Sequence, residues 1–333
     1  MAFAVALTGI DPPAVLPGGR LWLRGEGLPP VDASEAAVSV GGQPARIVFA
    51  APDRAAVEVP AAACAGRIPV RAAWSPGATL FVRVGRPLAV GLHSVDSPAL
   101  DAQDRVYCAF SGSRGQETPV SVYRIDPDGG REPFADGIVN ATSLTFSPEG
   151  ALFVSSRFEG TVYRIRDDGR AEPFASELGV ACGLAFGPDG ALYVGDRSGT
   201  IHRVSPDGVT VQTFATLPPS VAAYHLAFGP DGLLHATGPT MSTYDAVYRF
   251  DADGRPEVID RTFGRPQGLA FDADGVLHVV EALAGVSAIY RLPRGGPRQM
   301  VVAGPGLVGL AFPRDGGLVA ATADALYHFD AIP

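Results

Sequence analysis

Apolar and polar positions alternate in short runs along this chain, and nowhere do they recur at the three- or four-residue spacing of an amphipathic helix. Leu184-Ala185-Phe186 reads as a strand, Gly187-Pro188-Asp189-Gly190 as a tight turn, and Ala191-Leu192-Tyr193-Val194 as the returning strand. Proline presets the second turn position and glycine is free to take positive φ. The same segment recurs at Leu144 to Val154, Leu184 to Val194, Leu226 to Ala236, Leu269 to Val279 and Leu310 to Ala320, with starts 40, 42, 43 and 41 residues apart. A degenerate copy, Pro98 to Cys108, precedes them. After each second strand comes a third, such as Val162-Tyr163-Arg164-Ile165, whose alternation puts Tyr163 and Ile165 on one face. A further turn, Arg166 to Gly169, leads to an outer strand around Glu172-Pro173-Phe174-Ala175, where proline requires a sheet edge. Six copies of a four-stranded unit predict an all-β, six-bladed β-propeller.

The chain ends support a closed ring. The last copy has its third strand, Ala325 to Asp330, and reaches Pro333 without a fourth. Arg86-Pro87-Leu88-Ala89-Val90-Gly91 lies just before the first inner strand, where a fourth strand would belong, so residues 86–91 are predicted to complete blade six. Ahead of them, Gly18 to Leu28, Ala37 to Val48 and Ala56 to Pro60 alternate between turns as a small immunoglobulin-like β-sandwich does. The expected division is therefore a sandwich over 1–85 and a propeller over 86–333.

Composition removes several functions. All 26 basic residues are arginine, so Schiff-base lysines and a Walker-type phosphate loop are excluded. Residues 1–85 carry seven arginines against six acids, and residues 86–333 carry nineteen against twenty-nine. A propeller with that acid excess is a poor nucleic-acid surface. Many of the acids sit in tight turns, such as Asp126-Pro127-Asp128-Gly129, where turn chemistry accounts for them. Cys64, Cys108 and Cys182 have neither metal-type nor CxxC spacing and read as small apolar residues. No apolar run is long enough to span a bilayer. Met1 to Leu7 lacks a basic region and runs into a turn, so it reads as a first strand and not as a signal peptide. The cytoplasm is then the default compartment, with a secreted or periplasmic one left open.

Residues 6–84 resemble an IPT/TIG domain: the Gly18-Gly19 opening with alternating Leu21 and Leu23, the Val38-Ser39-Val40-Gly41-Gly42-Gln43-Pro44-Ala45 centre and Val57-Glu58-Val59-Pro60 stand in order. Residues 86–333 resemble the NHL-repeat propellers and the neighbouring gluconolactonase, senescence-marker-protein and luciferin-regenerating-enzyme group, on segments such as Gly183 to Asp196. Lactonase-like members hold a divalent cation at one channel mouth, using a Glu leading into blade one, Asn residues leading into later blades and an Asp that also serves as base. Here Asp96 falls where that Glu would be and Gln267 where the Asp would be, while Thr142, Cys182 and Tyr224 fill the intervening positions. The sole asparagine, Asn140, sits two residues before the matching position. The family's usual metal site is expected to be absent or rebuilt.

The repeat also acts as an internal control on single residues. His235 and His278 occupy the slot of Phe153 and Tyr193, and His202 and His328 that of Tyr163, Tyr248 and Tyr290, so all four read as packing. His225 differs, because its slot elsewhere holds Ser143, Gly183, Gly268 and Gly309. The loops before each first strand and after each second strand share one face, which gathers Asp96, Arg157, Asp196, Arg197, Tyr224, His225, Gln267 and Glu281 as candidate ligand-binding residues. The longer loops Phe110 to Pro119 and Gly238 to Ala246 belong to that face too. Gly304-Pro305-Gly306-Leu307-Val308-Gly309 matches GxGxxG but leads into a strand, so it is set aside as a nucleotide motif.

Two functions follow. One is a propeller that binds a small molecule or a protein at its loop-rich mouth. The other is a metal-dependent hydrolase or lyase of the gluconolactonase-like group, acting on a lactone or similar small molecule. In it Asp96, His225 and Glu281 would serve as ligands for Ca²⁺, Zn²⁺ or Mn²⁺, with Gln267 beside them.

Overall fold

The computed structural model describes residues 5–29, 37–283, 287–314 and 316–331, and every described element is a strand. The N-terminal part contains β1 (Ala6–Asp11), β2 (Ala14–Val15), β3 (Arg20–Glu26), β4 (Val38–Val40), β5 (Gln43–Ala51), β6 (Arg54–Glu58), β7 (Gly66–Ala72) and β8 (Leu80–Val84). After β9 (Arg86–Val90) come two antiparallel quartets. The first is β10 (Ala99–Leu100), β11 (Val106–Ala109), β12 (Val122–Ile125) and β13 (Arg131–Ala135), and the second β14 (Ala141–Phe146), β15 (Leu152–Ser156), β16 (Thr161–Ile165) and β17 (Ala171–Ala175). Next are β18 (Ala181–Phe186), β19 (Leu192–Asp196), β20 (Thr200–Val204) and β21 (Val211–Thr216), then β22 (His225–Phe228), β23 (Leu234–Thr237), β24 (Asp245–Phe250) and β25 (Pro256–Phe263). The chain continues through β26 (Pro266–Phe271), β27 (Leu277–Glu281), β28 (Ala288–Leu292) and β29 (Gln299–Ala303), and ends with β30 (Leu307–Ala311), β31 (Leu318–Thr322) and β32 (Ala325–Phe329).

These strands form a β-propeller in which five blades stand as separate four-stranded sheets. One of the five is β30-β31-β32-β9: β9 pairs antiparallel with β32, Ala89 opposite Leu326 and Val90 opposite Ala325. The strands β26 to β29 pair in the same order but do not stand alone. They end a twelve-stranded sheet, ordered β1-β3-β6-β5-β4-β7-β8-β2-β29-β28-β27-β26. The sequence led us to expect six separate blades behind an independent N-terminal unit, and the link is β2. Its two residues pair parallel with β29 on one side, Ala14 opposite Val302, and with β8 on the other, Ala14 opposite Arg83. An outer strand has unpaired backbone donors and acceptors along its free edge, and at β29 the N-terminal strands supply the partner.

Packing between neighbouring units repeats with the sequence. An aromatic or imidazole ring on β11, β15, β19, β23 and β27 meets, edge to face, a phenylalanine at the end of the next unit's first strand or just beyond it. The pairs are Tyr107–Phe146, Phe153–Phe186, Tyr193–Phe228, His235–Phe271 and His278–Phe312, with centroids 4.8 to 5.2 Å apart. His235 and His278 are buried within this stack, and burial lowers the pKa of both, which favours the uncharged ring. At the outer turns Gly169 and Gly254 take positive φ, and a Cβ on either would collide with the carbonyl oxygen of Phe134 or Phe214 in the preceding unit. The N-terminal strands share a core in which Leu21, Leu23 and Val57 meet Val40, Val70 and Val82, and Ala303 of β29 joins it. Leu16, by contrast, packs into the propeller with Val280, Ile289 and Phe329.

Candidate functional site at the channel mouth

Residues 91–98, between β9 and β10, cross the end of the channel lined by the first strands of the quartets. Leu92, Ser94, Asp96 and Pro98 are buried along this segment. Ser97 lies against two later units: a Cβ on Gly309 would collide with Ser97 Cα and one on Gly268 with Ser97 Oγ, which accepts the Leu310 N–H at 3.3 Å. Glycine in those two slots therefore makes room for the crossing chain. In the corresponding slot of the β22 unit stands His225, and it meets Asp96: Nδ1 lies 2.5 Å from Asp96 Oδ1 and Nε2 lies 3.2 Å from Gln267 Oε1. His225 is 1% exposed and Asp96 6%, while Gln267 is half-buried.

Both ring nitrogens of His225 face acceptors. An imidazolium donates to both, paired with the Asp96 carboxylate; a neutral ring donates from Nδ1 to Asp96 and takes a hydrogen bond at Nε2 once the Gln267 amide is turned over. In either state Asp96 fixes the ring through Nδ1 and leaves Nε2 as the nitrogen beside Gln267. Asp96 Oδ1 also accepts the Ser97 N–H at 2.6 Å, and the Gln267 carbonyl accepts the Thr237 hydroxyl at 2.5 Å. The Ser97 N–H thus orients Asp96, while Thr237 fixes the backbone that carries Gln267.

The other candidate acids are used differently. Asp196 accepts the Val180 N–H at 2.7 Å and the Ser198 hydroxyl. Glu281, in the same slot at the end of its second strand, accepts the Gly264 N–H at 2.6 Å and pairs with Arg298 at 3.4 Å. Ser156, again in that slot, donates to the Val139 carbonyl at 2.5 Å. In each case the side chain ties the loop that leads into its own unit. Arg298 lies 4.4 Å from the ring centroids of both Phe263 and Tyr290, so the Glu281 carboxylate anchors a stacked guanidinium as well. Asp96 meets His225 while Glu281 is engaged by Gly264 and Arg298, and no group of three His, Cys, Asp or Glu side chains among the described residues could hold a metal ion. Glu281→Ala should cost about 1–3 kcal/mol in urea unfolding by stranding the buried Gly264 N–H, whereas Glu281→Gln, which keeps an acceptor, should cost less.

Arg157 and Arg197 follow the second strands of adjacent blades, flanking Cys182. Arg157 donates to Ser111 Oγ at 3.2 Å and Arg197 to the Ser220 carbonyl at 3.3 Å, and neither is ion-paired among the described residues. Burial, together with the Asp96 carboxylate, pushes the Cys182 thiol up to about 12, so it stays protonated and is no nucleophile. Tyr224 is fully buried, its hydroxyl spent on the Pro218 carbonyl. Thr142 donates to the Asn140 carbonyl at 2.8 Å. Asn140 itself was weighed in the sequence only as a displaced ligand. It takes φ 51° and pins the 110–119 loop, donating to the Gly112 and Ser113 carbonyls at 2.8 and 3.0 Å and accepting the Gly115 N–H at 2.7 Å. Its being the chain's only asparagine, next to a long loop, was the available signal.

No protein-family model matches the chain, and no curated protein matches it. Solved structures do. A gluconolactonase from Xanthomonas campestris is 18% identical with a TM-score of 0.61, over 74% of this chain and 89% of its own. An auxiliary nutrient binding protein from Bacteroides ovatus is 12% identical, TM-score 0.56, over 97% of each chain. The virginiamycin B lyase of Staphylococcus aureus is 14% identical, TM-score 0.52, over 98% of this chain and 93% of its own. The shared feature is the propeller. At these identities the likeness is one of fold, and it spans proteins named for binding and for catalysis alike. No helix of the described residues is long and apolar enough to cross a membrane.

Proposed function

We propose that this chain is a binding propeller that takes a small anionic molecule at the mouth around Arg157, Arg197, Gln267 and the Asp96–His225 pair. The observation that carries this reading is the use of the acids: Asp196 and Glu281 are committed to backbone N–H groups and to Ser198 or Arg298, while two guanidiniums on the same mouth have no carboxylate partner among the described residues. Such a mouth favours an anion over a hard cation, which wants several free oxygen ligands. In this reading β26 to β29 count as a blade, making six, with β9 as the strand that closes the ring, and the N-terminal strands are an IPT/TIG-like, immunoglobulin-type sandwich. The pairing of β9 with β32 and the core that Leu21, Val57 and Val70 share support that reading.

Thermal unfolding in the presence of gluconate, citrate or phosphate tests the proposal. At least one anion is expected to raise the melting temperature, since ligand at about 100 times its Kd stabilises by about 2.7 kcal/mol. The double variant Arg157→Ala/Arg197→Ala should remove the rise. Stabilisation by stoichiometric Ca²⁺, Zn²⁺ or Mn²⁺ but by none of the anions would overturn it.

One observation favours a second reading, a hydrolase or lyase. An imidazole held by a carboxylate at 2.5 Å is the arrangement of a general acid–base pair, and Nε2 would be the nitrogen that exchanges a proton with a substrate. Turnover of δ-gluconolactone that is lost in His225→Gln would establish it in place of the binding role.

A further inference from the structure

A sizeable cavity lies away from the channel mouth, at the seam between the N-terminal strands and the propeller. It encloses about 710 Å³, within the range of small-molecule sites, and such sites favour the junctions between structural units. Smaller clefts of 360 to 450 Å³ sit between adjacent units on the tight-turn side of the propeller. Those follow the repeat and come with blade packing. The seam cavity lies outside the repeat.

Strand register builds its floor. Arg20 and Arg46 both stand opposite Glu58, one on each neighbouring strand, and in the next row Trp22 and Phe49 both stand opposite Ala56. Alanine between two aromatics lets their rings meet, edge to face with centroids 5.7 Å apart, as an apolar platform. Arg54 lies 5.6 and 5.8 Å from the two ring centroids, and Arg46 pairs with Glu58 at 3.1 Å in an exposed bridge. Phe49 is 44% exposed, so its ring is open to a ligand from the solvent side. The opposite wall is Met300 with the Gly304-Pro305-Gly306 turn, the segment that in sequence imitated a nucleotide-binding loop. The cavity thus offers two aromatic rings set edge to face, a facing proline and methionine, Arg46 paired with the single lining carboxylate, Glu58, and Arg54 near the rings, in a chain of net charge −9.

We propose that this seam binds a small molecule combining a flat ring with an anionic group, the ring lying between the Trp22–Phe49 platform and Pro305, and the anion held by Arg46. The site is separate from the channel mouth, and its standing does not depend on the reading given to that mouth.

The test uses the full chain carrying Trp74→Phe, which leaves Trp22 as the only indole. The probe is 8-anilinonaphthalene-1-sulfonate, a ring system bearing one fixed negative charge. Saturable binding of one equivalent is expected, with Trp22 emission quenched in parallel. Arg46→Glu should weaken binding by about tenfold or more. N-phenyl-1-naphthylamine, with the same rings and no sulfonate, should bind weaker by a similar factor. Phe49→Ala, at an exposed position, should weaken both probes and leave thermal unfolding almost unchanged. Absence of saturable binding would overturn the proposal. So would equal affinity of the charged and uncharged probes, or an affinity indifferent to Arg46→Glu, either of which would make the seam a plain apolar gap.

Discussion

Asp96→Ala is expected to destabilise the folded chain by about 1–3 kcal/mol, the cost of leaving buried hydrogen-bond donors without their acceptor. The variant leaves His225 Nδ1 without an acceptor at a site 1% exposed, and strands the Ser97 N–H as well. Asp96→Asn keeps an oxygen for both donors and should fall in between. The double variant Asp96→Ala/His225→Leu should recover part of the loss, because neither polar group is then left unpaired, and the resulting coupling energy measures the pair directly. Urea unfolding is the readout, with a shift of the midpoint at constant slope. A loss below about 1 kcal/mol for Asp96→Ala would mean that the pair contributes little, and the oriented imidazole would lose its physical basis.

Deleting residues 1–91 is expected to abolish cooperative unfolding, while deleting 1–80 lowers stability and preserves it. The longer deletion removes β9 and with it the ladder to β32, in which Leu326 faces Ala89 and Ala325 faces Val90. It also takes Leu88 out of a core shared with Val106, Ile125, Val319 and Leu326, which spans the first and last units of the ring. Leu88→Ala alone should cost about 2–5 kcal/mol. The shorter deletion is not free either. It strips β2 from the edge of β29 and takes Leu16 from among Val280, Ile289 and Phe329. That cost follows from the sheet that β2 and β29 share. Thermal unfolding followed by circular dichroism separates the two truncations, and identical transitions would show that β9 has no special part in holding the ring.

The strand quartets were legible because each is built locally. Turns such as Gly187-Pro188-Asp189-Gly190 impose a hairpin on neighbouring residues, and repetition every forty or so residues multiplies the signal. Repetition also sorted the histidines. His235 and His278 share a slot with rings and do pack as rings against Phe271 and Phe312. His225, sharing its slot with glycines and a serine, proved to be held at both ring nitrogens, by Asp96 and by Gln267. Asp196 and Glu281 proved to be loop ties, a task that Ser156 in the same slot does with a hydroxyl.

What the sequence by itself determined, then, was the strand pattern, its period and the oddity of His225, all properties of residues close together along the chain. Tertiary structure decided the rest. Asp96 meets His225 across 129 positions because the segment before β10 crosses the channel, and Gly268 and Gly309 make room for that crossing only once the ring is formed. The joining of β2 to β29 was likewise set by which backbone edge remained open after the quartets had paired. Hydrogen-bonding edges and opposed side chains of this kind are chosen by the geometry of closure, and local residue patterns carry no record of it.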